Sequence, residues 1–140
     1  MQLYCALLAE GSSDKCLIPI IKWAIEQTTE ILEIVDFEFL QGLQSESTEL
    51  KDKLRAATQI MSSACNLLFV HRDGDRAGYE ARAEEIEQAW QQANMPEQLR
   101  RVKVVPLRMT EAWLLVDEQS IRRAAGNRRG KTALKLPNLN

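Results

Sequence analysis

Four consecutive apolar residues, Leu67, Leu68, Phe69 and Val70, constrain the fold of this 140-residue chain more than any other feature. Polar residues flank the run on both sides, which is typical of a strand that is covered on both faces. The run is far shorter than the roughly 20 apolar residues that a membrane-spanning helix needs. We therefore predict a buried central strand over residues 66–71.

Strand patterns alternate with helical patterns along the whole chain. We predict strands over residues 3–8, 33–40, 66–71 and 101–107, and helices after the first strand and over about 48–64, 77–93 and 111–116. Repeated strand–helix–strand units favour a parallel sheet with helices on both faces. The predicted fold class is therefore α/β: a compact Rossmann-like, four-stranded, mainly parallel sheet with helices on both faces.

Two helices allow more detailed predictions. Ser12 or Ser13 is placed to cap the helix that follows the first strand. The third helix is predicted to bury a stripe of residues at helical spacing, namely Tyr79, Ala83, Ile86 and Trp90.

Charge is distributed unevenly along the chain. Residues 1–98 carry a balance of −9 and residues 99–140 a balance of +7, which together give the net charge of −2. The basic C-terminal part could neutralise the phosphates of a nucleic acid. It could equally be a solvated helix face that happens to be basic. Charge alone leaves both interpretations open.

The cysteines indicate a reducing compartment. Cys5, Cys16 and Cys65 are odd in number and lack the spacing of a metal site, so we expect reduced, buried thiols. A single histidine argues against a zinc site. The N-terminal segment lacks a positively charged start and a cleavage site, so we expect no secretory signal. A cytoplasmic protein with no membrane partner is predicted.

Four carboxylates directly follow two of the predicted strands. Glu10 and Asp14 follow the first strand, and Asp73 and Asp75 follow the central one. The carboxyl ends of parallel strands lie at one edge of a sheet, which is where α/β proteins bind ligands. Glu111, just past the fourth predicted strand, is a fifth candidate. Clustered carboxylates need a compensating cation, and Mg²⁺ (or Mn²⁺) prefers oxygen ligands.

Such a site suits phosphoryl chemistry. Two bound ions would stabilise both the attacking and the leaving oxygen of a phosphodiester. Glu10 could serve as general base or acid, and Gly74 would let the chain turn tightly between Asp73 and Asp75. Each signal also has a structural explanation. Glu10 and Asp14 could compensate the dipole at the start of a helix, and so could Glu111. Asp-Gly-Asp could be a turn with a helix cap.

The order of these acids resembles the Toprim domain, which topoisomerases, primases and several nucleases share. The family's glutamate and Asp-x-Asp correspond here to Glu10, Asp73 and Asp75. The run Asp-Gly-Asp-Arg-Ala-Gly-Tyr-Glu is similar to the topoisomerase pattern but has Ala77 where glutamate is usual. The run Glu-Gly-Ser-Ser-Asp is closer to OLD-family nucleases, and this likeness implies that Asp14 is also a metal ligand.

The C-terminal part is similar to small stand-alone Toprim-like proteins of bacteria and phage-defence loci. The similarity lies in Thr-Glu-Ala-Trp-Leu around Glu111 and in Leu-Lys-Leu-Pro at residues 134–137. It implies a Toprim-like catalytic domain over residues 1–126, followed by a basic tail over 127–140. Because this tail has no closing element, we expect that the native chain continues beyond it or that the tail docks on something. A phosphate-binding loop of the Gly-x-x-x-x-Gly-Lys-Ser/Thr kind is absent from the sequence, so an ATPase or other defence-system partner would be a separate chain.

The leading hypothesis is a Mg²⁺-dependent nuclease, a hydrolase that acts on DNA or RNA. The expected catalytic residues are Glu10, Asp73, Asp75 and Lys131. The expected metal ligands are Glu10, Asp14, Asp73, Asp75 and Glu111. The expected nucleic-acid contacts are Arg76, Arg128, Arg129 and Lys131. The alternative is a non-catalytic, nucleic-acid-binding or complex-forming Toprim module. A phosphatase of the haloacid dehalogenase type is a third hypothesis, although Ala77 stands where that class usually has threonine.

Overall fold

The computed structural model describes residues 1–28, 33–40, 43 and 49–107, together with residues 119, 122, 126 and 129. The chain divides into two compact units, Met1–Leu107 and Arg108–Asn140. All the helices and strands described below belong to the first unit. The predicted helix over residues 111–116 lies outside the described residues, as does the predicted tail over 127–140 except for Arg129. The predicted domain boundary after residue 126 stays a prediction.

Four strands form one sheet. They are β1 (Gln2–Leu8), β2 (Glu33–Phe39), β3 (Leu67–His71) and β4 (Arg100–Val104). Their order is β2-β1-β3-β4, and every pairing among the described strands is parallel. The predicted α/β class and four-stranded sheet are confirmed, and "mainly parallel" becomes all parallel. The predicted central strand is β3, which pairs with β1 on one side and β4 on the other.

Three α-helices connect the strands. They are α1 (Leu17–Thr28), α2 (Leu50–Ile60) and α3 (Gly78–Ala93), and a 3₁₀ turn (Ser12–Cys16) precedes α1. The chain moves one way along the sheet from β1 to β2, and the opposite way from β2 to β3 and from β3 to β4. Because such crossovers are right-handed, α1 covers one face of the sheet while α2 and α3 cover the other.

The core consists of two layers, one on each face of the sheet. Successive residues of β3 alternate between these layers, so Phe69 packs towards α1 whereas Leu68 and Val70 pack towards α2 and α3. The layer beneath α1 contains Leu3, Cys5, Leu7, Leu17, Ile21 and Phe69. This alternation explains why β3 carries an unbroken apolar run, since neither of its faces meets water.

Three predictions about the helices were wrong, and β4 ends at Val104 rather than at residue 107. The residue before the 3₁₀ turn is Gly11 rather than Ser12 or Ser13, and its N–H is bound by the carboxylate of Asp14. Helix α2 ends at Ile60, well before residue 64. The N–H of Met61 still bonds to the carbonyl of Ala57, but that of Ser62 bonds to the side chain of Glu38. Tyr79 is exposed rather than part of the buried stripe, since it lies in the first turn of α3 at the edge of the sheet.

The three cysteines are free thiols. Cys5 and Cys65 are buried and Cys16 is half-buried, so the prediction of buried thiols is confirmed for two of them. Burial raises the pKa of the Cys5 thiol to about 11, which keeps it protonated at neutral pH. Among the described helices, none has the length and apolar character that a membrane span requires.

Candidate metal centre

The strand order places a binding crevice between β1 and β3. The chain leaves the carboxyl end of β1 towards one face of the sheet and the carboxyl end of β3 towards the other. In open α/β sheets such a change of direction leaves a crevice between the two strand ends, and ligands bind there. The loop after β1 carries Glu10 and Asp14, and the loop after β3 carries Asp73 and Asp75. The two acidic runs therefore flank the same crevice.

Three side chains converge in this crevice. Glu10, His71 and Asp73 each offer one ligand atom, and these atoms all lie within 4.8 Å of one another. His71 is buried, Asp73 is half-buried and Glu10 is exposed, so the group is anchored in the sheet and open to solvent. Carboxylates suit Mg²⁺ and Mn²⁺, whereas imidazole suits transition metals. Two carboxylates with one imidazole therefore fit Mn²⁺ better than Mg²⁺.

Asp14 belongs to this site through His71. The Nδ1 of His71 lies 3.4 Å from Oδ2 of Asp14, and its Nε2 lies 3.4 Å from Oδ1 of Asp73. Asp14 is itself buried, and its Oδ2 accepts the N–H of Gly11 at 2.9 Å. The imidazole thus lies between two carboxylates, at 3.4 Å from an oxygen of each. Asp14 is therefore positioned to orient His71, whereas Asp73 is positioned to bind a metal ion directly.

Ion pairs and hydrogen bonds connect the two acids of the group, Glu10 and Asp73, in a closed ring. Arg72 contacts Oε1 of Glu10 at 2.5 Å and Oε1 of Glu85 at 2.7 Å. Arg82 contacts Oε2 of Glu85 at 2.8 Å, and its Nε donates to the backbone carbonyl of Asp73 at 2.9 Å. The backbone N–H of Asp73 donates to Oε2 of Glu10 at 3.1 Å, which closes the ring.

The ring changes the electrostatics around the acids. Burial alone would raise the pKa of Glu85, but the hydrogen bond from Arg82 and the charge of Arg72 outweigh it and lower that pKa. The hydrogen bond to Glu85 raises the pKa of Arg82 in turn. Arg72 thereby balances part of the negative charge at Glu10. Each oxygen of a carboxylate has two acceptor sites, so Glu10 keeps the capacity to bind a cation while it is held by Arg72.

Gly74 holds the Asp-Gly-Asp loop against the end of β4. It is buried, and its N–H donates to the carbonyl of Pro106 at 2.9 Å. A Cβ atom at this position would lie 2.6 Å from the same carbonyl oxygen. The glycine is thus required for close approach of two backbones and not, as the sequence suggested, for the turn itself. The positive φ falls instead on Asp75, at 40°.

The remaining predicted residues divide into two sets. Asp75 and Arg76 follow Asp73 in the chain. Both are exposed, and neither belongs to the group of three converging side chains. Glu111, Arg128 and Lys131 lie outside the described residues, and Arg129 is an exposed residue of the second unit. Their expected roles in metal binding, catalysis and nucleic-acid contact stay predictions.

The side chains that support the acids carry no distinctive sequence signal. Arg72 stands between His71 and Asp73 in the chain, so its position beside the acidic loop was visible but its partners were not. Arg82 and Glu85 have the spacing of a helical ion pair, which is a signal that exposed helices commonly show. Comparisons of the chain with family models, with curated proteins and with solved structures found no match. The function of the protein is therefore inferred from the geometry of this site.

Proposed function

We propose that the protein is a nuclease that uses Mn²⁺ or Mg²⁺ to hydrolyse phosphodiester bonds. The observation that supports this proposal is the convergence of Glu10, His71 and Asp73 at the crevice between β1 and β3. A cation held there would polarise a phosphate oxygen and lower the pKa of a bound water. The proposed site is the Toprim-like one that the motifs implied, with His71 added to its acids.

The side chains around the cation have separate roles in this proposal. Glu10, His71 and Asp73 would hold the cation, and Asp14 would orient His71 from the other side of its ring. Glu10 is also the proposed general base, because it is the exposed member of the group and reaches solvent. Arg72 and Arg82 both contact Glu85 and so hold the loops after β1 and β3 together.

Cations are needed to balance the charge of the substrate. Arg76 is exposed directly after the acidic loop and is the nearest predicted phosphate contact in the chain. Arg128, Arg129 and Lys131 are proposed as further nucleic-acid contacts, and Lys131 is also proposed to stabilise charge in the transition state. Asp75 and Glu111 are proposed as additional metal ligands. A cytoplasmic location and a separate ATPase or other defence-system partner complete the proposal.

A second candidate function is a non-catalytic module that binds nucleic acid or joins a complex. The observation that favours it is that both carboxylate oxygens of Glu10 already contact protein groups, namely Arg72 and the N–H of Asp73. Acids that are satisfied in this way can have a purely structural role. This candidate predicts binding that depends on Arg128 and Arg129 and falls steeply with salt, but does not depend on the acids.

A cleavage assay tests the nuclease proposal. Plasmid, single-stranded DNA and tRNA are incubated with the full chain in Mn²⁺ or Mg²⁺, and the Asp73→Asn and Asp36→Asn variants are compared. Asp36 is an exposed aspartate of β2 and serves as the matched control. We expect cleavage by the wild type and by the Asp36 variant, and its loss in the Asp73 variant. Cleavage that persists in Asp73→Asn would refute the proposed site.

Two further results separate the alternatives. Binding of nucleic acid without cleavage, undiminished in Asp73→Asn, would favour the non-catalytic module. Hydrolysis of a small phosphate ester without any cleavage of polynucleotides would favour a phosphatase instead.

A further inference from the structure

A cavity of about 260 Å³ opens beside the candidate metal centre. It lies at the carboxyl ends of β1 and β2, and Glu10 belongs both to its wall and to the group of converging ligands. One part of the wall is apolar, and another part carries polar and charged groups. The lining residues are Ala9, Glu10, Gly11, Ser12, Phe39, Leu40, Leu43 and Lys53.

Lys53 is the cation among the described residues that line this cavity. It projects from α2, is half-buried, and forms no side-chain ion pair or hydrogen bond within the described part of the chain. Its neighbour Lys51 behaves differently, since its Nζ lies 2.7 Å from Oε2 of Glu49. A half-buried lysine packs its methylene stem against the protein while its ammonium group stays in contact with solvent. The Lys53 ammonium is therefore available to an anionic ligand.

The shape of the cavity restricts that ligand. Its volume lies just below the roughly 300–1,000 Å³ of typical small-molecule sites, so it suits a single nucleotide unit. A base that is stacked and paired in a duplex cannot enter such a pocket without leaving the stack. Phe39, Leu40 and Leu43 offer apolar contact to a base or sugar, and contacts of that kind tolerate any sequence.

We infer that this cavity binds the nucleotide next to the scissile phosphate of a single-stranded nucleic acid, and that Lys53 contacts its phosphate. The inference rests on the proposed nuclease function, because Glu10 connects the cavity to the metal centre. Glu10 also repels a phosphate, so a cation at the metal centre is expected to strengthen binding. Lys53 would position the strand and select unpaired over paired substrate.

Binding of fluorescent ten-nucleotide single strands of DNA and RNA tests the inference. Anisotropy is measured for the wild type, Lys53→Gln and Lys51→Gln over a range of salt concentrations, with and without Mg²⁺. A gel run afterwards shows whether the strands stayed intact. Loss of one charged hydrogen bond should raise the Kd of Lys53→Gln about tenfold. The salt dependence (the slope of log K against log salt) should fall by about 0.7, the value for one phosphate on a single strand.

Lys51→Gln serves as the matched control, because it removes a lysine of the same helix that already has a partner. We expect its Kd to stay within about twofold of the wild type. An unchanged Kd and salt slope in Lys53→Gln would overturn the inference, and so would equal losses in both lysine variants. Tighter binding of a duplex than of a single strand would also overturn it. If neither strand binds with or without Mg²⁺, the inference is wrong as well.

A parallel titration with Mn²⁺ separates this inference from the proposed function. Lys53→Gln should bind Mn²⁺ as the wild type does, because Lys53 lies outside the group of three ligands. If Mn²⁺ fails to bind but single strands bind through Lys53, the nuclease proposal falls and the cavity remains a single-strand binding site without a scissile phosphate. If Mn²⁺ binds and cleavage occurs without any effect of Lys53→Gln, the nuclease proposal stands and the role of Lys53 is refuted.

Discussion

Replacement of Gly74 by alanine tests the packing of the acidic loop. The added Cβ would lie 2.6 Å from the carbonyl oxygen of Pro106 and 3.3 Å from Cα of Leu107. Both neighbours are backbone atoms, so no side-chain rotation relieves the contact. The loop after β3 must therefore move away from the segment that follows β4.

The expected cost follows from two terms. Overpacking in a well-packed region costs about 1–3 kcal/mol. Movement of the loop would also weaken the bond from the Gly74 N–H to the Pro106 carbonyl, now 2.9 Å long, at a cost of about 0.5–1.5 kcal/mol. The free energy of unfolding should therefore fall by about 2–4 kcal/mol.

Urea denaturation followed by far-UV circular dichroism measures this cost. With a slope of about 2 kcal/mol per molar urea, the midpoint should fall by about 1–2 M. Gly11→Ala is the matched control in the other acidic loop. Gly11 has an extended backbone, and its added Cβ would meet nothing closer than Asp14 Oδ2 at 3.6 Å. Its midpoint should stay near the wild type. Equal midpoints for the two variants would refute the argument that Gly74 is required for close approach.

Two further predictions concern ion pairs. Hydrogen bonds from Arg101 and Lys103 hold the pKa of Glu87 at about 2, below its ordinary 4.5. The stability from this pair is therefore present above pH 4.5 and lost as the pH falls towards 2. Glu87→Gln should cost less than about 1 kcal/mol at pH 7, since exposed pairs are screened, and less still at pH 3. Urea midpoints at both pH values check this, and an equal cost at both would contradict it. Arg72→Met should lower stability by about 1–3 kcal/mol, because Glu10 and Glu85 each lose one of their partners. A cation would replace its charge, so Mn²⁺ should raise the Tm of this variant more than that of the wild type. Equal shifts in Tm would contradict that account.

Much of the fold follows from local sequence patterns. The apolar run of β3 and the alternation of strands with helices predicted the parallel sheet, because each strand in such a sheet needs cover that the next helix supplies. Glu10 and Asp73 were expected at one edge of the sheet, because the carboxyl ends of parallel strands lie together there. Periodicity, however, did not locate the end of α2, where the N–H of Ser62 bonds to the side chain of Glu38.

The supporting groups of the site depend on contacts between distant parts of the chain. Gly74 was read as a turn residue, but its constraint comes from Pro106. Arg72 contacts acids on two other segments, Glu10 and Glu85. Lys53 reaches the cavity beside Glu10 from a different helix. Such pairings depend on how the loops pack at the sheet edge, which no local pattern encodes.

The most direct test uses the single histidine of the chain. The imidazole signals in a proton NMR spectrum can come only from His71, so they need no assignment. Mn²⁺ is paramagnetic and broadens the signals of protons close to it. Substoichiometric Mn²⁺ should broaden the His71 signals in the wild type and in Asp36→Asn, and should leave them sharp in Asp73→Asn. His71 signals that stay sharp in the wild type, or broaden equally in Asp73→Asn, would contradict a metal centre built from Glu10, His71 and Asp73.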